Sequence, residues 1–199
     1  MYGFSLYKFP SQQVNAVAGG ILYFRYDIVI VKEYRRYVMR RRDREETRAE
    51  EIVKVIRDCN CCRLGLVDTD GLAYIVPLNF AFVENGEAYG TFYFHGAGEG
   101  RKIELAAVQK RASFELDTAH EAVAGEKACA HSFNFCSVMG KGNVTVVTDE
   151  TEKMTALQAL MLDNTGRGQW DIPTAALAGI GIIKLAVTEW SCKRSEEHT

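Results

Sequence analysis

One stretch near the middle of the chain gathers residue types that do chemistry. Phe92-Tyr93-Phe94-His95 is an aromatic run with a strand's composition, Gly96-Ala97-Gly98-Glu99-Gly100 is a glycine-rich turn, and Arg101-Lys102 opens a helical pattern over residues 101–108. The free amides and dipole at a helix N-terminus favour an anion. Arg101 can fork two phosphate oxygens and Lys102 adds a point charge. The glycines let the backbone come close. The spacing is not the dinucleotide fingerprint, because no glycine follows Gly98 three positions later, and it is not a P-loop, which needs Gly-Lys-Ser/Thr. Two readings stay open on the residues alone: a phosphate site, or a turn followed by a solvated basic helix start. His95 stands at the strand end, and an imidazole is the side chain suited to general acid-base proton transfer.

A metal site is the other chemistry to weigh. Cys59-Asn60-Cys61-Cys62 contains one CxxC, with Cys129, His131 and Cys136 as remote partners. A structural zinc usually shows two clean pairs, and the chain has no second CxxC. No metal is expected; small thiols at a helix-to-strand junction are. His120 and His131 fall in a loop region and are read as solvent-exposed. Trp170 is expected to pack, with stacking on a ligand as the alternative.

The elements that must position these residues follow from period and punctuation. Thr47-Arg48-Ala49-Glu50 reads as a capping box, and Ile52, Val53, Val55 and Ile56 give a short helix its apolar face. Strands are expected over 62–67, 73–79, 80–84, 88–95, 112–116, 133–148 and 180–187. Asp68-Thr69-Asp70-Gly71 supplies one turn and Asn85-Gly86 a hairpin. Gly140 and Gly142 mark bends in the long strand. Asp149 caps a helix whose face carries Met154, Leu157, Leu160 and Met161. Six or seven strands with a few flanking helices predict a small antiparallel barrel of α+β class.

Composition bounds the function. With 199 residues, 47% apolar and 25% charged, the chain fits one globular domain and excludes disordered, collagen-like and coiled-coil classes. Its net charge of −2 shows no basic excess, so no nucleic-acid partner is expected. The apolar stretch 14–31 carries Arg25 and Asp27, which argues against a membrane span. Without a secretory signal, six cysteines read as reduced thiols of a cytoplasmic protein. Residues 1–38 lack a steady period and are expected to be an upstream extension, with Met39 as a natural start. The arginine-rich run from Arg35 to Glu51 reads as a solvated arm. Arg194-Ser195-Glu196-Glu197-His198-Thr199 is what a common sequencing-adapter string gives when translated, so 191–199 is expected to be a polar tail foreign to the domain at 39–190. His198 is assigned no function.

Several motifs in order carry a family resemblance: Arg63-Leu64-Gly65-Leu66-Val67-Asp68, Val76-Pro77-Leu78-Asn79-Phe80, Phe94-His95-Gly96-Ala97 and Gly100-Arg101-Lys102. Ser137-Val138-Met139-Gly140-Lys141-Gly142 and the 170–177 stretch extend it. Together they resemble the nitroimidazole-resistance branch of the pyridoxamine 5′-phosphate oxidase-like superfamily, over about residues 39–190. The resemblance implies an FMN-binding split barrel and a homodimer holding two FMN molecules between subunits. It implies Arg101 and Lys102 on the FMN phosphate, Gly96 and Ala97 at its approach, Val76, Pro77, Leu78 and Asn79 along the isoalloxazine edge, and Ser137 reaching the flavin of the other subunit. It places His95 by the substrate side, as the candidate catalytic residue. Tyr74 and Asn79 stand where the vitamin-B6 oxidases have Arg and Lys, which puts oxidation of pyridoxamine phosphate in doubt. Cys136 stands where close relatives often carry Arg. The expected activity is an FMN-dependent oxidoreductase that passes electrons from NAD(P)H to a small-molecule acceptor. The alternatives are a split barrel binding haem or a deazaflavin, and a non-enzymatic flavin-binding module.

Overall fold

The computed structural model describes residues 39–86 and 89–195, and the elements lie in the compact unit Arg41–Thr199. In chain order they are β1 (Glu45–Glu46), α1 (Ala49–Asp58), β2 (Cys62–Val67), β3 (Ala73–Leu78), β4 (Phe80–Val83), β5 (Thr91–Ala97), α2 (Arg101–Val108), β6 (Arg111–Val123), β7 (Ser132–Val147), α3 (Glu150–Thr165) and β8 (Ile180–Ser195). The expected extension at 1–38, the start of the fourth strand at Ala88 and the end of the tail, 196–199, fall outside the described residues.

All strands join one antiparallel sheet in the order β3-β2-β6-β7-β8-β5-β4, with β1 beside β8. This is the expected α+β class, with the two-residue β1 as an eighth strand. The two strands at the ends of that path, β3 and β4, are consecutive in the chain and separated by Asn79 alone. The sheet must therefore curl until its edges meet, yet no ladder joins them among the described residues. That is a split barrel. Strand β2 shows why the curl holds: Cys62, Leu64 and Leu66 point inward and are buried while Arg63 and Val67 face out, the two-residue period of a sheet with one wet face.

Two cores result. Inside the curl, Phe92 lies with ring centroids 4.8–5.3 Å from Phe80, Phe82 and Phe114, in tilted and edge-on arrangements that aromatic quadrupoles favour. Outside it, Ala156, Leu157 and Leu160 of α3 cover Ala81 and Ile182. Helix α3 also caps the exposed edge of β4. The Asp163 carboxylate accepts from the Phe82 amide at 2.9 Å, and the Asn164 side chain donates to the Phe80 carbonyl at 3.1 Å. An open strand edge is thereby given partners.

Several boundaries differ from expectation for physical reasons. The Thr47 capping box does not form. Arg48 is the N-cap of α1, and the Glu46 carboxylate accepts the Thr47 and Arg48 amides, each at 2.9 Å. Glu46 is also bound by the Arg48 guanidinium, which holds its carboxyl down at about 2. Asp149 does cap α3, accepting from the Glu152 amide at 2.7 Å. Strand β6 runs well past Leu116, through a bulge between Thr118 and Glu121 at which Ala119 takes φ 56°. Strand β8 runs past residue 187 to Ser195, pairing Ser195 with Phe135 and burying Cys192 completely. Beyond Val187 and Leu116 the side chains are mixed in polarity, so periodicity gives no signal there.

Candidate functional site

The glycine-rich turn forms where the sequence places it. Strand β5 ends at Ala97, Gly98 donates to the Gly179 carbonyl at 3.0 Å, and Gly100 takes φ 102° as the N-cap of α2. Among the described residues no side chain caps this helix, so its first amides face the turn, as anion sites require. Arg101 is forked onto an anion already. Its guanidinium binds the Asp68 carboxylate through Nε and Nη2 and donates to the Thr69 hydroxyl at 3.2 Å. This pairing holds the Asp68 carboxyl below its usual range. Lys102 folds back over Gly96: a Cβ there would lie 2.7 Å from Lys102 Cε and 2.8 Å from Nζ. Only a residue without a side chain leaves the ammonium that position. The turn thus brings Gly96, Ala97, Arg101 and Lys102 together, and their chemistry fits a phosphate. The sequence reading had Asp68 as turn chemistry and as the end of a family motif, with no partner assigned; its contact is 33 residues away in sequence.

His95 precedes this turn on the outer face of β5, exposed, its imidazole with no hydrogen-bond partner among the described residues. It opens onto a cavity of about 460 Å³. Asn79, Trp170 and Ile172 line it with His95, together with Leu157, Leu160, Met161 and Asn164 of α3. Trp170 is held firmly. Its backbone exchanges two hydrogen bonds with the Gln158 amide (2.7 and 3.0 Å), its Nε1 donates to the Arg167 carbonyl at 2.7 Å, and the Arg167 guanidinium sits 4.3 Å from the ring centroid. At 36% exposure it is a wall of the cavity rather than the core residue expected. The residues of α3 that line the cavity were legible only as an apolar helix face.

The remaining candidates lie elsewhere. Val76, Pro77 and Leu78 sit on β3, which among the described residues pairs with β2 on one side only, leaving its other edge open there. Pro77, with no amide to donate, is tolerated at such an edge. Ser137 is half-buried on β7 opposite Lys193 of β8, whereas Gly96 stands opposite Gly181. Those two registers are roughly 40 Å apart along β8, at ~3.3 Å per residue. One protomer does not bring Ser137 to the turn. Among the described residues no cluster suits a metal ion. Cys59 and Cys62 are buried, and burial pushes both thiols up, Cys59 to about 12. His120 and His131 are exposed, with His120 2.7 Å from Asp117.

No curated protein matches the chain. Solved structures do. A candidate 5-nitroimidazole antibiotic resistance protein from Bacteroides thetaiotaomicron aligns with TM-score 0.65 and 25% identity, over 76% of this chain and 90% of that one. A flavocytochrome from Azotobacter vinelandii aligns with TM-score 0.66 and 19% identity, over 80% and 72%. A FAD- and heme-binding protein from Mycobacterium smegmatis aligns with TM-score 0.66 and 20% identity, over 77% and 74%. The last two share the fold. The family model described as pyridoxamine 5′-phosphate oxidase matches residues 48–194, spanning every strand from β2 to β7 and nearly all of β8, and on that match the chain belongs to the pyridoxamine 5′-phosphate oxidase family.

Proposed function

We propose that this protein is an FMN-dependent oxidoreductase that carries electrons from a reduced nicotinamide to a small acceptor. The observation behind this reading is the turn at 96–102. An uncapped helix start, a guanidinium already forked onto a carboxylate and an ammonium folded over a glycine belong to a turn that begins one residue after His95, which lines the cavity. The flavocytochrome and the FAD- and heme-binding protein, which share the fold, support the flavin part of this reading.

Arg101 and Lys102 would bind the phosphate, the guanidinium exchanging Asp68 for phosphate oxygens or using its remaining donors. Gly96 and Ala97 keep the backbone close. The open edge of β3 from Val76 to Asn79 offers backbone groups to the ring, Pro77 through its carbonyl alone. FMN bound here would accept hydride from NAD(P)H and return the electrons to the acceptor. His95 would supply a proton from its imidazole to the acceptor as it is reduced. Because Ser137 lies far along β8 from the turn, its expected contact needs a second subunit, and a homodimer is the working unit of this reading. Among the described residues no helix is long and apolar enough to cross a membrane, and a cytoplasmic setting is part of the proposal.

The test is spectroscopic. Purified protein is incubated with FMN, desalted and scanned, then titrated anaerobically with NADH and NADPH. Two broad flavin bands that bleach on titration are expected, with FMN rather than FAD released by heat. A protein that retains no flavin overturns the reading, a sharp Soret band would assign haem instead, and flavin that binds but does not bleach leaves a non-enzymatic module.

A further inference from the structure

We propose that the cavity beside His95 is a binding site for a neutral, planar ring compound, and that it excludes phosphorylated or otherwise anionic compounds. About 460 Å³ lies within the range of small-molecule pockets. Its walls are mainly apolar, supplied by Leu157, Leu160, Met161, Ile172 and Ile180. Trp170 adds a flat surface fixed before any ligand arrives. Four contacts hold it: two from Gln158, one from the Arg167 carbonyl and the stacked guanidinium. An aromatic wall ordered in advance binds a flat ring without the entropy loss of ordering a side chain.

Charge decides the class. No Lys or Arg lines the cavity among the described residues, and Asp171 stands at it. An anion entering would lose hydration, meet a carboxylate and find no cation among the lining residues, Arg167 being engaged on the Trp170 ring. Polar recognition is left to three groups. Among the described residues the His95 imidazole has no hydrogen-bond partner. Asn79 spends its Nδ2 on the Asn60 carbonyl at 3.1 Å and Asn164 spends its own on the Phe80 and Leu160 carbonyls, leaving two amide oxygens as acceptors. These suit a single hydroxyl or carbonyl on the ring. The family's description names a phosphorylated vitamer, and this cavity has nothing to hold that phosphate.

The inference rests on the oxidoreductase reading only in making this the acceptor's place; binding itself needs no flavin. The full chain, stripped of flavin, is titrated calorimetrically with 2-naphthol, neutral at pH 7, and with 2-naphthoate, its anionic counterpart. We expect 2-naphthol to bind at least tenfold more tightly. Trp170→Ala should weaken it about tenfold. Asp171→Asn, a change at an exposed residue that leaves the fold alone, should tighten 2-naphthoate several-fold and leave 2-naphthol unchanged. No binding of 2-naphthol, equal affinities for the two probes, or an unaltered 2-naphthoate affinity in Asp171→Asn overturns the proposal. A protein that binds 2-naphthol but no flavin refutes the oxidoreductase reading alone. One that bleaches with NADH but binds no 2-naphthol refutes this inference alone.

Discussion

At the scale of single residues, the turn makes a prediction that separates phosphate from ring. Charge-assisted hydrogen bonds contribute about 1.5–3 kcal/mol, so Arg101→Ala should weaken FMN binding by roughly tenfold to a hundredfold. Riboflavin, which lacks the phosphate, should lose little, and fluorescence titration of both flavins measures the difference. His95 calls for a kinetic test. In His95→Asn, flavin uptake and reduction by nicotinamide should stay near wild type. Re-oxidation by a nitroaromatic or a quinone should slow by ~10²–10⁴ in stopped-flow traces, with the pH dependence flattened. The turn itself was legible because glycines between a strand pattern and a helix pattern mark a junction. Asp68 and Trp170 were not, because one looks like any turn aspartate and the other like any buried indole until their distant partners are seen.

At the scale of elements, the long strands depend on glycine where they approach most closely. Strand β7 shifts register against β8 between Lys141 and Gly142, and a Cβ on Gly142 would lie 2.2 Å from the Ala186 carbonyl oxygen. Backbone cannot yield as a side-chain tip can, so Gly142→Ala should destabilise by about 2–4 kcal/mol, read as a lowered urea midpoint. The sequence pointed to bends at Gly140 and Gly142, and the bulge stands there. The helices at 101–108 and 150–165 were also readable, the second from its Asp149 cap. The far halves of β6 and β8 were not. Their pairing comes from neighbours across the sheet, Ser195 against Phe135 and Val123 against Ser132, rather than from any alternation of their own.

At the scale of the whole molecule, the buried thiols set an alkaline limit. Burial raises Cys59 and Cys192 to about 12, so both stay protonated in the folded state well above pH 8.5, where an unfolded chain has released its protons. The unfolded state then binds fewer protons, and stability falls as pH rises from about 8.5 toward 12. The loss is at most ~1.4 kcal/mol per pH unit for each thiol. Urea midpoints should drop between pH 8 and pH 10.5, and drop less in Cys192→Ala. Assembly is the other prediction at this scale. Val67, Leu72, Ile75 and Met139 are more than half exposed. A homodimer covering such side chains would bury upwards of ~2,000 Å² and persist at micromolar concentration in sedimentation runs; a flavin-saturated monomer would remove Ser137 from the site. The split barrel itself followed from motif order and strand count, whereas its curl could not be foreseen from any one segment, because it depends on which strand lies between which. Strand β8, the last of the described strands to be synthesised, stands between β7 and β5. Until it leaves the ribosome, β4 and β5 have no sheet to join, and Phe80, Phe82, Phe92 and Phe94 wait uncovered. The barrel therefore closes only after translation has passed residue 180, through contacts distant in sequence that form slowly, and the nascent chain is a natural client for chaperones that shield aromatic surface.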